Sequence, residues 1–487
     1  MKRLLFLIMP GILLLSCVKS LDDYNIDQKK PTTAPAATLF TGAIKNMADV
    51  LASSNVNTNV FRLYVQQWTT TEYLDEPRYN LTARTIPQAL WQALYRDVLM
   101  DLKEAKRLIE ADPLLDADEK SNQLAQIEIV EVYAWSVLVN SFGNIPYSEA
   151  LNVDNALPKY DDAAAVYADL VVRLDAALSN LKPASDGFGE ADLLYNYGSV
   201  TTEVAGWVKF GNSLKLKLGM ILADSDVNTA SRMVQEAAPN VFTSNADNTR
   251  FPYLSAIPNN NPISNSLNPS LTGRQDFVGA EAFINKLNDV NDPRRPFFFT
   301  TVNGTYIGGK YGFANTYVNF STASPKVVAQ DFESLLLDYS EVEFLLAEAV
   351  ERGFTVAGTA AEHYNNGVTA SILYWGGTAA NANAYLAQPA VEYSNPASGS
   401  SWREKIGTQK WIALYNRGYD AWTEWRRLDF PQLSPPSAAE GAPAGLVIPT
   451  RLIYPVNEQT LNTVNNQAAA DAMGGDAVSS KLFWDIN

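Results

Sequence analysis

The apolar residues recur every three or four positions over most of the chain. Trp91, Leu94, Tyr95, Val98, Leu102, Ala105, Leu108 and Ile109 step this way for about five turns. Arg96, Asp101, Lys103, Glu104 and Lys106 occupy the opposite side, so an amphipathic helix is predicted there. Pro87 suits its first turn, where N–H groups lack helical partners, and Pro113 follows its end. A second stripe joins Ile127, Val130, Ala134, Val137, Leu138 and Ser141, and Gly143 and Pro146 stop it. A third covers about 161–181, with Val166, Leu170, Leu174, Ala177, Leu178 and Leu181 in register. A fourth carries Trp207, Phe210, Leu214, Leu218 and Ile221. Later stripes are Val342, Leu345, Leu346 and Ala349, then Tyr364, Val368, Ile372 and Leu373. One long helix is predicted over about 402–428.

These helices fall into pairs of about 35–45 residues joined by short turns, the period of helix-turn-helix repeats. The pattern predicts a mainly α fold, a tetratricopeptide-like superhelix of helix pairs. The repeats are placed at about 84–224 and 338–430. Between about 240 and 335 the chain turns rich in Asn, Pro and Ser, which marks a loop-rich region. There Asn303 and Gly304 separate two β-prone runs and signal a β-hairpin insertion. A second irregular stretch spans 431–455.

The first residues follow a different rule. Lys2 and Arg3 precede an apolar run, Leu4 to Leu15, too short for the roughly 20 residues of a membrane span. It reads as a secretory signal over 1–16. Leu14, Leu15, Ser16 and Cys17 have the form of a lipobox, and Cys17 is the single cysteine of 487 residues. Lipidation of Cys17 is the expectation, which gives the chain a membrane anchor; an ordinary signal with an incidental cysteine is the alternative. Residues 17–36 read as a tether and 37–487 as the folded domain. One cysteine allows no internal disulfide, so the core alone must hold the fold.

The chain is acidic, with a formal net charge of −16, and a leader carrying two of the positive charges would leave it more so. That balance argues against nucleic acid as a partner. A lone histidine, His363, offers no second His or Cys for a transition-metal site and reads as a partly buried polar side chain. No metal site and no cofactor are expected. Glycines occur without phosphate-loop or dinucleotide spacing. Glu341, Glu343, Glu348 and Glu351 read as a solvated or ion-paired helix face. The cluster 224–228, "DSDVN", lacks the glycine and terminal glutamate of a calcium loop.

Aromatic residues are abundant: 10 Trp, 23 Tyr and 20 Phe. Trp91, Trp135, Trp207, Trp411 and Trp422 lie in helical stripes and are assigned to packing. The loop 66–80, "QQWTTTEYLDEPRYN", sets Trp68, Tyr73 and Tyr79 among Glu72, Asp75, Glu76, Arg78 and Asn80. Flat rings stack on sugar C–H faces while polar neighbours bind hydroxyls. Trp68, Tyr73, Glu76, Arg78 and Tyr79 are therefore the candidate ligand-binding residues. The alternative is that the rings pin the loop to the helices. Phe251, Tyr253, Tyr306 and Tyr311 are further loop aromatics.

Seven segments in order carry a resemblance: "SFGNIPYSEAL" (141–151), "FGNSLKLKLGMILAD" (210–224), "NDPRRPFF" (291–298), "YSEVEFLLAEAVERG" (339–353), "GTQKWIALYNRGYDAWTEWRRLDFP" (407–431), "IPTRLIYPVNEQTLN" (448–462) and the terminal "KLFWDIN". Together they resemble the SusD/RagB family of nutrient-binding outer-membrane lipoproteins, in its SusD-like branch. The resemblance implies a cell-surface, non-catalytic receptor that passes oligosaccharide to a SusC-type TonB-dependent transporter. Asp22 and Asp23 after Cys17 match the family's surface-display pattern. Peptide cargo, or a surface glycoside hydrolase using two of the 53 acidic residues, are the other readings. Arg426 and Arg427 are expected to pair with helix-end carbonyls or carboxylates rather than with ligand.

Overall fold

The computed structural model describes residues 34–195 and 200–486. Contacts separate Met1–Pro35 from the unit Ala36–Asn487. The signal, Cys17 and nearly all of the expected tether lie outside the described residues.

Helices of eight or more residues are numbered here. α1 is Ala36–Ala52. Then Ile86–Gln92 runs through a π-helical segment, Ala93–Leu99, into α2, Met100–Ala111. This is the first expected helix, with Pro87 in its opening turn. The wider π turn brings Leu99 to the buried side beside Val98. α3, Ala117–Phe142, starts where the Asp116 carboxylate accepts from the backbone N–H groups of Asp118 and Glu119. It stops at Gly143, whose φ of +84° suits glycine. α4 is Ala163–Asn180, α5 Val200–Ile221, α6 Val227–Ala237 and α7 Glu281–Asp289. α8 is Tyr339–Glu351, α9 Ala360–Trp375 and α10 Ala379–Leu386. α11 is Trp402–Ala413, α12 Gly418–Leu428 and α13 Thr463–Ala472. Consecutive helices pack as pairs, α3 with α4, α5 with α6, α8 with α9 and α11 with α12. The expected mainly α, tetratricopeptide-like architecture is the observed one.

Two expectations need correction. The single helix over 402–428 is two helices, because the chain breaks between Ala413 and Gly418. Asn416 there has a φ of +69°, and its carbonyl and side-chain oxygens accept from Arg62 at 2.8 and 3.1 Å. The break also turns Tyr415 into a ring cluster with Phe283, Phe298 and Trp375. The hairpin at Asn303 and Gly304 is real but minimal. Both residues have positive φ, as its tight turn demands, yet only Val302 and Thr305 pair. The strands lie elsewhere, in three antiparallel pairs: β1 (Trp68–Thr70) with β5 (Phe277–Gly279), β2 (Ile145–Pro146) with β3 (Tyr160–Asp161), and β4 (Thr249–Phe251) with β6 (Ser334–Leu337).

The glutamates of α8, expected on a solvated or ion-paired face, are ion-paired at Glu341, Glu343 and Glu348 and exposed at Glu351. α8 is buried on every side, so Glu341 and Glu348 have no exposure at all. They are ion-paired, but within the core. Arg417 reaches Glu341 at 2.6 Å, Asp420 at 2.7 Å and Asp338 at 3.3 Å. Lys217 of α5 pairs with Asp420 and, at 3.0 Å, with Glu341. Two turns along α8, Arg427 binds Glu348 and, at 2.6 Å, Glu424, which also meets Lys410 at 2.7 Å. Arg352 links Glu348 to Asp224, and Arg403 joins Asp224 at 3.0 Å. Burial favours protonating Glu348, but Arg427 and Arg352 outweigh it and hold the carboxyl below its usual range. Arg426 meets its expectation on carbonyls, donating to Asn140 of α3 at 2.8 Å and to Thr450 at 2.9 Å. Trp484 of the terminal motif donates to the same Asn140 through its side-chain oxygen.

His363 is partly buried on α9, with Nδ1 2.6 Å from Glu343 and Nε2 2.7 Å from the Ala357 carbonyl. Two acceptors suit a doubly protonated ring. Burial opposes that charge, but Glu343 and Ala357 prevail and raise the pKa.

Two outcomes follow for stability. Arg417→Met leaves Asp338 buried without its cation, and urea unfolding should show a loss of about 3–5 kcal/mol. The His363 contribution is complete below its unfolded pKa of about 6.5 and fades as pH rises through the raised folded value. A pH series of unfolding midpoints should show that decline in the wild type and lose it in His363→Gln.

Candidate functional site

The loop 66–80 leaves the helical core at Val65 and runs across the irregular half of the molecule. Gln66 opens it with a φ of +51°, and its side chain donates to the Ser434 carbonyl. β1 then pairs with β5, Trp68 opposite Gly279 and Thr70 opposite Phe277. Thr71 extends the junction, its backbone N–H donating to Asp276 and its hydroxyl to the Gln275 carbonyl. Asn315 ties in a third strand of chain. Its amide donates to the carbonyls of Thr70, Lys310 and Phe313 at 2.7–3.0 Å, and its own N–H donates to Thr71. Three segments distant in sequence are thus fixed side by side.

Between them lies an open cleft of about 600 Å³. Thr71, Glu72, Gln275, Asp276, Thr316 and Tyr317 line it. Two lining side chains are carboxylates and none is cationic, although Arg274 pairs with Asp276 at 2.7 Å from outside the lining. The remaining polar groups are hydroxyls, the amides of Gln275 and Asn315 and the phenol of Tyr317, a set suited to sugar hydroxyls.

The five expected binding residues separate into two groups. Trp68 is only 2% exposed and cannot offer a stacking face. Its ring packs on Phe277 and Tyr415, and its indole N–H donates to the Tyr415 hydroxyl at 3.0 Å. Tyr79 is buried too, between Tyr64 and Tyr311, and burial pushes all three phenols above their usual pKa. Glu76 has no exposure and pairs with Arg84. For Trp68, Tyr79 and Glu76 the expectation of direct ligand contact is therefore corrected: the loop's apolar bulk is what pins it to the core. Arg78 is half-buried, donates to the Gly312 carbonyl at 2.9 Å and lies over Phe313.

Tyr73 stands apart. It is 44% exposed, and among the described residues it is the one exposed aromatic side chain. It follows Glu72, which lines the cleft. The guanidinium of Arg84 lies 4.8 Å from its ring centre. Of the other loop aromatics, Phe251, Tyr253 and Tyr311 are buried and Tyr306 is half-exposed beside Arg295. Arg84, Gln275, Asp276, Thr316 and Tyr317 were not singled out from sequence. The Asn- and Pro-rich composition of 240–335 marked the region of the last four but no single position, and nothing marked Arg84.

A second groove of about 670 Å³ runs between α2, α3 and α4, lined by residues including Trp135, Tyr147, Leu151 and Val153. Its Arg173 is committed to Glu128 and Glu131, and Trp135 is 3% exposed. Asp224, in the acidic cluster 224–228, is taken by Arg352 and Arg403. Among the described residues no group of three His, Cys, Asp or Glu is placed to hold a metal ion. None of the described helices is long and apolar enough to cross a membrane.

Comparison with known proteins supplies the wider setting. A family model described as "Starch-binding associating with outer membrane", SusD-like, matches residues 28–455. No curated protein matches the chain. A solved chitin-binding protein is 28% identical with a TM-score of 0.79, over 93% of this chain and all of that one. A SusD homologue from Bacteroides uniformis is 27% identical with a TM-score of 0.74, over 92% of this chain and 99% of that one. A chitin-binding SusD homologue from Flavobacterium johnsoniae shares the fold at 21% identity and a TM-score of 0.75, covering 92% and 99% of the two chains. With most of its length inside the family model and the same helix-pair scaffold throughout, the chain belongs to the SusD-like family.

Proposed function

We propose that the protein is a non-catalytic oligosaccharide receptor that binds its ligand at the cleft beside Tyr73. One observation carries this reading. Among the described residues the single exposed aromatic side chain, Tyr73, directly follows Glu72, which lines a cleft of hydroxyl, amide and carboxylate groups. In this reading a pyranose stacks on Tyr73, and Glu72, Gln275, Asp276 and Tyr317 take hydroxyls of the same oligosaccharide. The names of two similar structures, both chitin-binding, favour chito-oligosaccharides as the first ligands to try. Family membership supports delivery of the glycan to a SusC-type TonB-dependent transporter in the outer membrane. The lipobox ending at Cys17 supports attachment by a lipid anchor at the cell surface.

A single ring and a few hydroxyl contacts give weak binding, with dissociation constants in roughly the micromolar to millimolar range. Calorimetry with chito-oligosaccharides, malto-oligosaccharides and basic peptides tests the cargo class. Glycan binding is expected; binding of peptides alone would make this a peptide receptor. Tyr73→Ala should weaken the glycan by roughly tenfold, a loss of about 1.4 kcal/mol. Trp68→Phe should keep the affinity while costing about 1–2 kcal/mol of folding stability, through the lost indole hydrogen bond.

A further inference from the structure

We propose that Glu76 and Arg84 form a positioning pair that makes Tyr73 a one-sided platform. The proposal rests on the glycan reading of the cleft and adds two residues that act on the ligand only through a third. Glu76 is fully buried beneath the loop. Its carboxylate needs a cation, and Arg84 is the one that pairs with it. The side chain of Arg84 keeps 31% of its surface exposed, so it spans from the interior to the loop's outer face. There its guanidinium lies 4.8 Å from the ring centre of Tyr73.

The order of constraint runs outward. The buried carboxylate cannot move, because its loop is sewn to the core by Tyr79 on one side and by β1 on the other. Arg84 cannot swing into solvent without leaving that carboxylate unpaired. Tyr73 therefore has a fixed cation on one face and solvent on the other. An exposed tyrosine on a loop would otherwise sample several rotamers and lose that freedom on binding. Held against Arg84, it presents one open face to one sugar ring.

Removing Arg84 alone would orphan a buried charge and could unfold the loop. The test therefore uses Glu76→Gln together with Arg84→Met, which removes both charges at once. The probe is the hexamer of N-acetylglucosamine, titrated by calorimetry. The double variant should bind about two- to fivefold more weakly than the wild type. In a Tyr73→Ala background the same pair of changes should have no further effect. Crystals of the unliganded double variant should show Tyr73 away from its wild-type rotamer. Unchanged affinity, or a loss that simply adds to that of Tyr73→Ala, overturns the proposal. If the wild type binds none of the glycans, the receptor reading fails. The positioning claim is then still decided by the crystals, and a Tyr73 rotamer unchanged without the pair overturns it.

Discussion

Everything else in the fold is arranged around a block of charge, buried at its centre and reaching the surface only toward Arg403. Lys217, Arg352, Arg403, Lys410, Arg417 and Arg427 face Asp224, Asp338, Glu341, Glu348, Asp420 and Glu424. The two sets balance. Each ion taken from water costs several kcal/mol, and only its partners offset that. Those partners sit on or at the ends of α5, α8, α11 and α12, so the four helices must dock in one register or leave a charge bare. The cluster acts less as a source of stability than as a lock on arrangement. Hydrophobic stripes alone would let paired helices slide by a turn; this lock does not.

That lock accounts for the segments that carry the family resemblance. "YSEVEFLLAEAVERG" supplies Glu341, Glu348 and Arg352; "GTQKWIALYNRGYDAWTEWRRLDFP" supplies Lys410, Arg417, Asp420, Glu424 and Arg427. "FGNSLKLKLGMILAD" supplies Lys217 and Asp224. The motifs most characteristic of the chain are thus scaffold and not site. The irregular half hangs from this scaffold by short strand pairs and side-chain ties. The turn at Asn416, held by Arg62, joins the lock to the base of the 66–80 loop.

The helices were legible in the sequence because periodicity is local. α2, α3 and α4 lie where their stripes placed them, with Asp116, Asp162 and Gly143 marking boundaries. What escaped was decided at long range. That Glu341 and Glu348 are paired inside the core escaped, because Arg417 and Arg427 lie 76 and 79 residues away from them. The break at 414–417 was hidden because the reason for it, Arg62, is 354 positions from Asn416. The same holds for the site. The loop 66–80 was found by composition, yet sequence could not say which aromatic faces outward. Trp68 looked the best platform and proved to be core, since its pairing with β5 turns the ring onto Tyr415. Tyr73 is left exposed because Arg84, and not a hydrophobic neighbour, lies against it. The cleft residues Gln275, Asp276 and Tyr317 come from segments that meet only in the folded chain.

The central claim is that a rigid, ion-locked scaffold presents Tyr73 and its cleft to a sugar without acting on it chemically. A crystal structure of the protein soaked with the N-acetylglucosamine hexamer tests this most directly. The account predicts an intact oligosaccharide with one pyranose ring stacked on the open face of Tyr73 and hydroxyls directed to Glu72, Gln275, Asp276 or Tyr317. A cleaved product, or a glycan seated instead in the groove beside Trp135 and Val153 with Tyr73 untouched, would contradict it.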